Sequence, residues 1–285
     1  MLLTDYKKAE TKNVLLVGMP KGSGKSTTAM TAPGNKLLLQ YDLGSPTLPP
    51  GVDPSTVFVR TYPPSLSAVK LDSDRWVRPK NVGAEIIDDI FNIREAVLAG
   101  RPPVVGKEEL PWPLTPGDTI IMDGWVQWFQ HILDWILAVN NKANPEDFEN
   151  RHAAWGKRLN QGNILLNMLL PLPVNFAITT WVARETTQQI TAKGVPIEVA
   201  TGRFVPDLGG KMNIWGPGKV DSSIYLYSEK SVSAGLRFLA RVKPNENFQW
   251  VGTRGNYSKA EIVDLTIDEK DKRLPWARLF GEDGR

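Results

Sequence analysis

Residues 14–29, VLLVGMPKGSGKSTTA, restrict the fold more than any other stretch of the chain. Four consecutive apolar residues fit a strand buried on both faces, and the glycines, proline and lysines that follow cannot continue it. Gly-Lys-Ser-Thr then leads into small helix formers. Strand, glycine loop and helix in this order make a phosphate-binding loop, in which backbone N–H groups curl around an anion that side chains would obstruct. Gly22 and Gly24 keep that backbone open, and Ser23 between them belongs to the same nucleotide-binding set. Lys25 is positioned for the β and γ phosphates and Ser26 for a Mg²⁺ ion, with Thr27 completing the set as the helix N-terminus adds its partial positive charge. The loop is one residue long, because the glycine expected six residues before Lys25 is Met19 and Gly18 lies one further back.

The rest of the chain alternates strands with helices, the pattern of a mostly parallel sheet covered on both faces. NKLLLQYD reads as a second buried strand ending at Asp42, and STVFVRTY as a third. Residues 62–80 read as a surface excursion. GAEIIDDIFNIREAVLAG has apolar residues at helical spacing and stops at Gly100. TIIMDGW is a short strand closing on Asp123, followed by apolar helices over 125–139 and 150–170. VNFAITTWVA is a further buried strand, and DSSIYLYSE, LRFLARVK and NFQWVGTR are expected as later strands. The domain is expected to run over 1–264, with 265–285 a polar, loosely held tail.

Nucleotide hydrolysis needs a carboxylate for the metal and a polarised water. Asp123, at the end of an apolar strand, is the candidate metal carboxylate; an aspartate that merely closes a strand into a turn is the alternative. Asp42 faces the same crevice and is the candidate water-activating acid. Thr179 or Thr180 would sense the γ phosphate, with β-branched packing the alternative for both. The polar segment 183–211, with Arg184, Lys193, Arg203 and Lys211, is either a polymer contact or plain surface, and within it QQITAKGVPIEV reads as a simple hairpin with Lys193 and Gly194 in its turn. Among the ten tryptophans, Trp125, Trp128 and Trp135 recur at helical spacing and read as core, whereas Trp181 at a strand end is the stacking candidate.

VGMPKGSGKST, LLLQYD, TIIMDGW, VNFAITTW, PDLGGKMNIW, VDSSIYLY and RFLARV…WVGTRGNY together resemble, in order and spacing, the phage-type AAA-like nucleotide-binding proteins. That RecA-like group includes phage single-strand annealing and recombination mediators, and the resemblance covers residues 12–258. It implies a RecA-like P-loop core with ATP and Mg²⁺, with action on single-stranded DNA in recombination or replication. By position, Lys25 and Ser26 bind phosphate and metal, Asp123 is the Walker B acid, and Arg254 in GTRG is a trans-acting or γ-phosphate arginine of a homo-oligomer, filament or ring. The group usually has a glutamate just after the second strand, where this chain reads YDLGSP, so the identity of the catalytic base stays open.

Composition narrows the classes. With 41% apolar and 23% charged residues over 285 positions the chain can bury a full core. Zero cysteines exclude thiolate metal sites, and His131 and His152 show no metal-cage pattern. No leader and no apolar run of membrane-spanning length is visible, so a cytoplasmic protein off the membrane is expected. A net charge of +3 permits nucleic-acid binding without arguing for it. A small-molecule kinase would need an arginine-rich lid, where only Arg184 and Arg203 stand, and the sole NK dipeptide lacks the aspartate that reads guanine. A nucleotide-holding switch with little hydrolysis stays open.

Overall fold

The computed structural model describes residues 11–42, 48–64, 69–72, 75–77, 82–150, 152–191, 196–231, 235–253, 260–267 and 271–281. In chain order the elements are β1 (Asn13–Gly18), α1 (Lys25–Met30), β2 (Lys36–Gln40), β3 (Val57–Thr61), β4 (Val69–Asp72), β5 (Arg75–Val77), α2 (Val82–Leu98), β6 (Val104–Val105), β7 (Glu108–Glu109), β8 (Thr119–Asp123), α3 (Trp125–Val139) and α4 (Ala153–Leu169). They continue as β9 (Asn175–Ile190), β10 (Pro196–Pro206), α5 (Met212–Trp215), β11 (Ser222–Ser231), β12 (Gly235–Arg241), β13 (Gly252–Thr253), β14 (Ile262–Asp264) and α6 (Pro275–Phe280). The main sheet runs β14-β12-β11-β1-β9-β8-β2-β3. From β11 to β3 every neighbour is parallel, whereas β12, β13 and β14 add antiparallel to the β11 side and β10 pairs antiparallel with β9. This is the α/β P-loop fold that the alternating strands and helices predict.

The apolar strands are buried because both faces are covered. Alternation sends Leu15 and Val17 of β1 to one face and Val14 and Leu16 to the other. The first face packs against α2, α3 and α4, where Trp125 and Trp128 are fully buried with ring centroids 4.4 Å apart. The second packs against α1 and α6. Trp125 and Trp128 are core, as their spacing predicts, and Trp135 packs partly buried against the same cluster.

Two expectations are corrected. Among the described residues of NFQWVGTR, strand is confined to Gly252–Thr253; Phe248 and Trp250 turn their rings onto Phe204 and Tyr225 instead of pairing in the ladder. The tail is not loose over 275–280. Pro275 fits the first turn of α6, and Trp276, Leu279 and Phe280, spaced three and four apart, enter the core beneath α1. Trp276 also donates its backbone N–H to the Thr31 hydroxyl at 3.0 Å. The polar average of the last twenty residues concealed a three-residue apolar face. Trp276→Ala should therefore destabilise the whole chain by about 3–5 kcal/mol, read from the urea midpoint; a loss under about 0.5 kcal/mol would mean that α6 does not hold the fold.

Candidate functional site

The ends of four parallel strands meet at one edge of the sheet. The register aligns Asp123 of β8 with Thr179 of β9 on one side and Gln40 of β2 on the other, and Thr179 in turn with Leu16 of β1. The loop after β1 therefore opens beside the acid that ends β8, with β9 between them. Gly22 and Gly24 sit at φ of 75° and 80°, the left-handed region that glycine tolerates best, which turns the chain through the loop and into α1.

Asp123 organises the site. Its Oδ1 accepts the Ser26 hydroxyl at 2.9 Å and the Thr179 hydroxyl at 2.6 Å, while the Thr179 oxygen accepts the backbone N–H of Gly124 at 3.0 Å. The acid is thus no simple strand terminus, because three elements are tied through one carboxylate oxygen. Gly124, at φ of 100°, lets Asp42 approach: a side-chain carbon there would lie 2.8 Å from the Asp42 carboxyl carbon. The Lys25 ammonium folds into the loop, donating to the Met19 carbonyl and to the Ser23 hydroxyl at 3.2 Å. Ser23 also donates to the Met19 carbonyl, at 3.1 Å.

The electrostatics match the geometry. Burial lowers the Lys25 pKa, against the pull of Asp123 and Asp42. Burial and the nearby Asp123 raise that of Asp42, against the pull of Lys25. A cation and two acids thus face one another in a partly desolvated crevice. His131 is packed and unpaired among the described residues, and burial lowers its pKa to about 4, so it stays neutral in the core.

The structure brings together Gly22, Ser23, Gly24, Lys25, Ser26, Thr27, Asp42 and Asp123, and separates the two threonines. Thr179 holds Asp123; Thr180, on the opposite face of β9, donates to the Asp207 carbonyl at 2.6 Å. β9 and β10 form the expected hairpin, which leaves the sheet beyond the site with an exposed far end. Its turn, with Lys193 and Gly194, lies outside the described residues, as does Arg254. Sequence reasoning missed Phe238 of β12, whose ring lies 3.3 Å from where a side-chain carbon on Gly24 would stand. Nothing local marks that contact, since 214 residues separate the pair.

The donor set fits a nucleotide with a divalent ion. No cluster of three or more metal-ligating side chains exists among the described residues. One hydroxyl and one carboxylate is the sparse protein set that leaves room for waters and substrate phosphates around Mg²⁺. No helix among the described residues is long and apolar enough to cross a membrane. A family model described as an AAA domain matches residues 10–249. No curated protein matches the chain.

Two outcomes test this geometry. Thr179→Val keeps the shape but leaves the Gly124 N–H and the Asp123 carboxylate short of a partner, so stability should fall by about 1–3 kcal/mol, with Thr179→Ser restoring most of it; equal urea midpoints for all three chains would contradict the arrangement. The raised Asp42 pKa means that the folded state favours the protonated acid. Its contribution to stability is full below the ordinary value of 3.8 and is lost as pH rises through the folded value. Asp42→Asn should accordingly melt higher than wild type at neutral pH, with the gain shrinking toward pH 3.8, in melting curves taken across pH.

Proposed function

The chain belongs to the AAA-domain family of nucleotide-binding ATPases, and from that premise we propose that it hydrolyses ATP with Mg²⁺ while acting on single-stranded DNA. The observation that carries the reading is the Asp123 carboxylate, held by Ser26 and Thr179 within the field of Lys25 and Asp42. In this reading the Gly22–Thr27 backbone cradles the phosphates and Lys25 turns from the Met19 carbonyl onto them. Ser26 and Asp123 would hold Mg²⁺, which when bound would supply positive charge to offset that of the phosphates. Asp42 orients and polarises a water. The water oxygen bonds to the γ phosphorus as the bond to the β–γ bridging oxygen breaks, and the proton leaves toward Asp42. An aspartate reaches less far than the glutamate usual after this strand, so turnover without a polymer is slow.

The DNA half of the proposal draws on the β9–β10 hairpin, which carries Arg184 and Arg203 and grows out of the strand that holds Thr179. Ordering that hairpin on a polymer would act directly on the strand beside the γ phosphate. A role in phage recombination or replication in the host cytoplasm follows from the resemblance to phage annealing and recombination mediators. Arg254, between Gly252 and Gly255, would serve the next subunit of a filament or ring. A second reading, a nucleotide-holding switch with little hydrolysis, is favoured by the missing glutamate.

ATP turnover with and without single-stranded DNA, in wild type and Lys25→Ala, separates these readings. Lys25→Ala should weaken ATP binding by about 10- to 100-fold, the worth of a lost charge-assisted hydrogen bond, and single-stranded DNA should accelerate the wild type. Unchanged ATP affinity in a folded Lys25→Ala chain would refute the phosphate site. Binding without DNA-stimulated turnover would favour the switch.

A further inference from the structure

A second surface, rich in cations and aromatic rings, lies beside the site. From Ala153 to Leu169 and from Leu208 to Val220 the chain has four basic residues, Lys157, Arg158, Lys211 and Lys219, and acids stand only at the ends of the second segment, as Asp207, which attracts Arg158, and Asp221. The two segments touch: Lys219 donates to Asn163 at 2.5 Å and to Asn167 at 2.9 Å on α4. Among the described residues none of the four cations lies within 4.0 Å of a carboxylate. Each of three stacks on an aromatic ring instead. Arg158 lies 4.2 Å from the Phe129 ring centroid and 4.5 Å from that of Trp155, Lys157 lies 5.2 Å from Phe148, and Lys219 lies 4.7 Å from Trp215.

Arg158 also borders a cleft of about 210 Å³, whose rim adds Gln127 and Gln130 of α3 and Asp207. That volume is below the roughly 300–1,000 Å³ of cavities that take drug-sized ligands, and it suits a planar ring better than a whole nucleotide. Amide, guanidinium and carboxylate groups at the rim offer both donors and acceptors to a ring edge. Trp155, 40% exposed, presents a second aromatic face just outside.

We infer that this cleft and the basic surface around it bind single-stranded DNA, with a base stacked on the exposed face of Trp155, which Arg158 backs from its other side, and the phosphates following Lys211 and Lys219. Aromatic rings interleaved with cations are what a single strand needs, because every base has a face to stack and every link carries a charge. An acidic peptide would use the charge but not the rings. The inference rests on the DNA half of the proposed function and moves the principal contact from the hairpin to its root. It also supplies a route between the sites. The Asp207 wall of the cleft accepts the Thr180 hydroxyl at 2.6 Å and donates its N–H to the Trp181 carbonyl at 2.8 Å, directly beyond the Thr179 that holds Asp123.

Fluorescence anisotropy of a labelled oligothymidylate on the full chain, with a non-hydrolysable ATP analogue present, tests it. Trp155→Ala and Arg158→Gln should each weaken binding about tenfold. Lys211→Gln should reduce the slope of log affinity against log salt by about 0.7, and the double variant Arg184→Gln/Arg203→Gln should change affinity less than Trp155→Ala. Nucleotide affinity, unchanged in Trp155→Ala, certifies the fold. Wild-type DNA affinity in Trp155→Ala and Arg158→Gln, with loss in the hairpin variant, would overturn the inference while the DNA reading stands. Equal displacement of the oligonucleotide from wild type and Trp155→Ala by polyglutamate would overturn it in favour of an acidic partner. No oligonucleotide binding by the wild type would overturn both, while the Lys25→Ala comparison still judges the nucleotide site.

Discussion

A single carboxylate oxygen, Asp123 Oδ1, receives hydroxyls from the helix after the phosphate loop and from the neighbouring strand. Because Asp123 is 7% exposed, those bonds form where water competes poorly, and an unmet partner there would be costly. The bond from Gly124 N–H to Thr179 then fixes the turn out of β8, and that turn sets the start of α3. The loop, β8 and β9 are consequently one mechanical unit. A change in what Ser26 binds is felt at Thr179 across two hydrogen bonds.

The sheet makes this arrangement possible. Parallel strands buried on both faces leave their ends as the only open places for polar chemistry, and the aligned register of β1, β9, β8 and β2 collects four such ends together. The cost is electrostatic. Lys25 and Asp42 are shifted toward their neutral forms by the burial that lets them face one another. Such opposed perturbations are characteristic of sites built for binding and catalysis, where stability is given up locally for a prepared charge pattern.

A second polar network, away from the site, has a structural role. Asp89 on α2, 2% exposed, accepts the Arg60 Nε at 3.1 Å, the Tyr62 hydroxyl at 2.7 Å and the Gly106 N–H at 2.6 Å. It fixes α2 against β3 and the β6–β7 turn. Tyr62 in turn stacks on Tyr41 with centroids 4.8 Å apart, so the residue beside Asp42 is held from behind. Removing one member of such a buried set would leave charged groups unpaired.

What the sequence determined by itself is local: the buried strands, the glycine loop with Lys25 and Ser26, the acid closing β8, and the apolar face of α3. Each follows from a repeat of two or 3.6 residues, or from chemistry contained within a few positions. The tertiary structure decided which of two adjacent threonines meets Asp123, because that depends on the pairing register of β9 and not on composition. It also decided that Phe238 lies against Gly24, that Thr180 anchors Asp207, and that Trp276 closes the core over α1. These links join residues 27 to 245 positions apart, and no window along the chain contains both partners. The short apolar face of α6 was hidden for a different reason: its three residues are diluted by charged neighbours, and only the groove beside α1 gives them something to bury against.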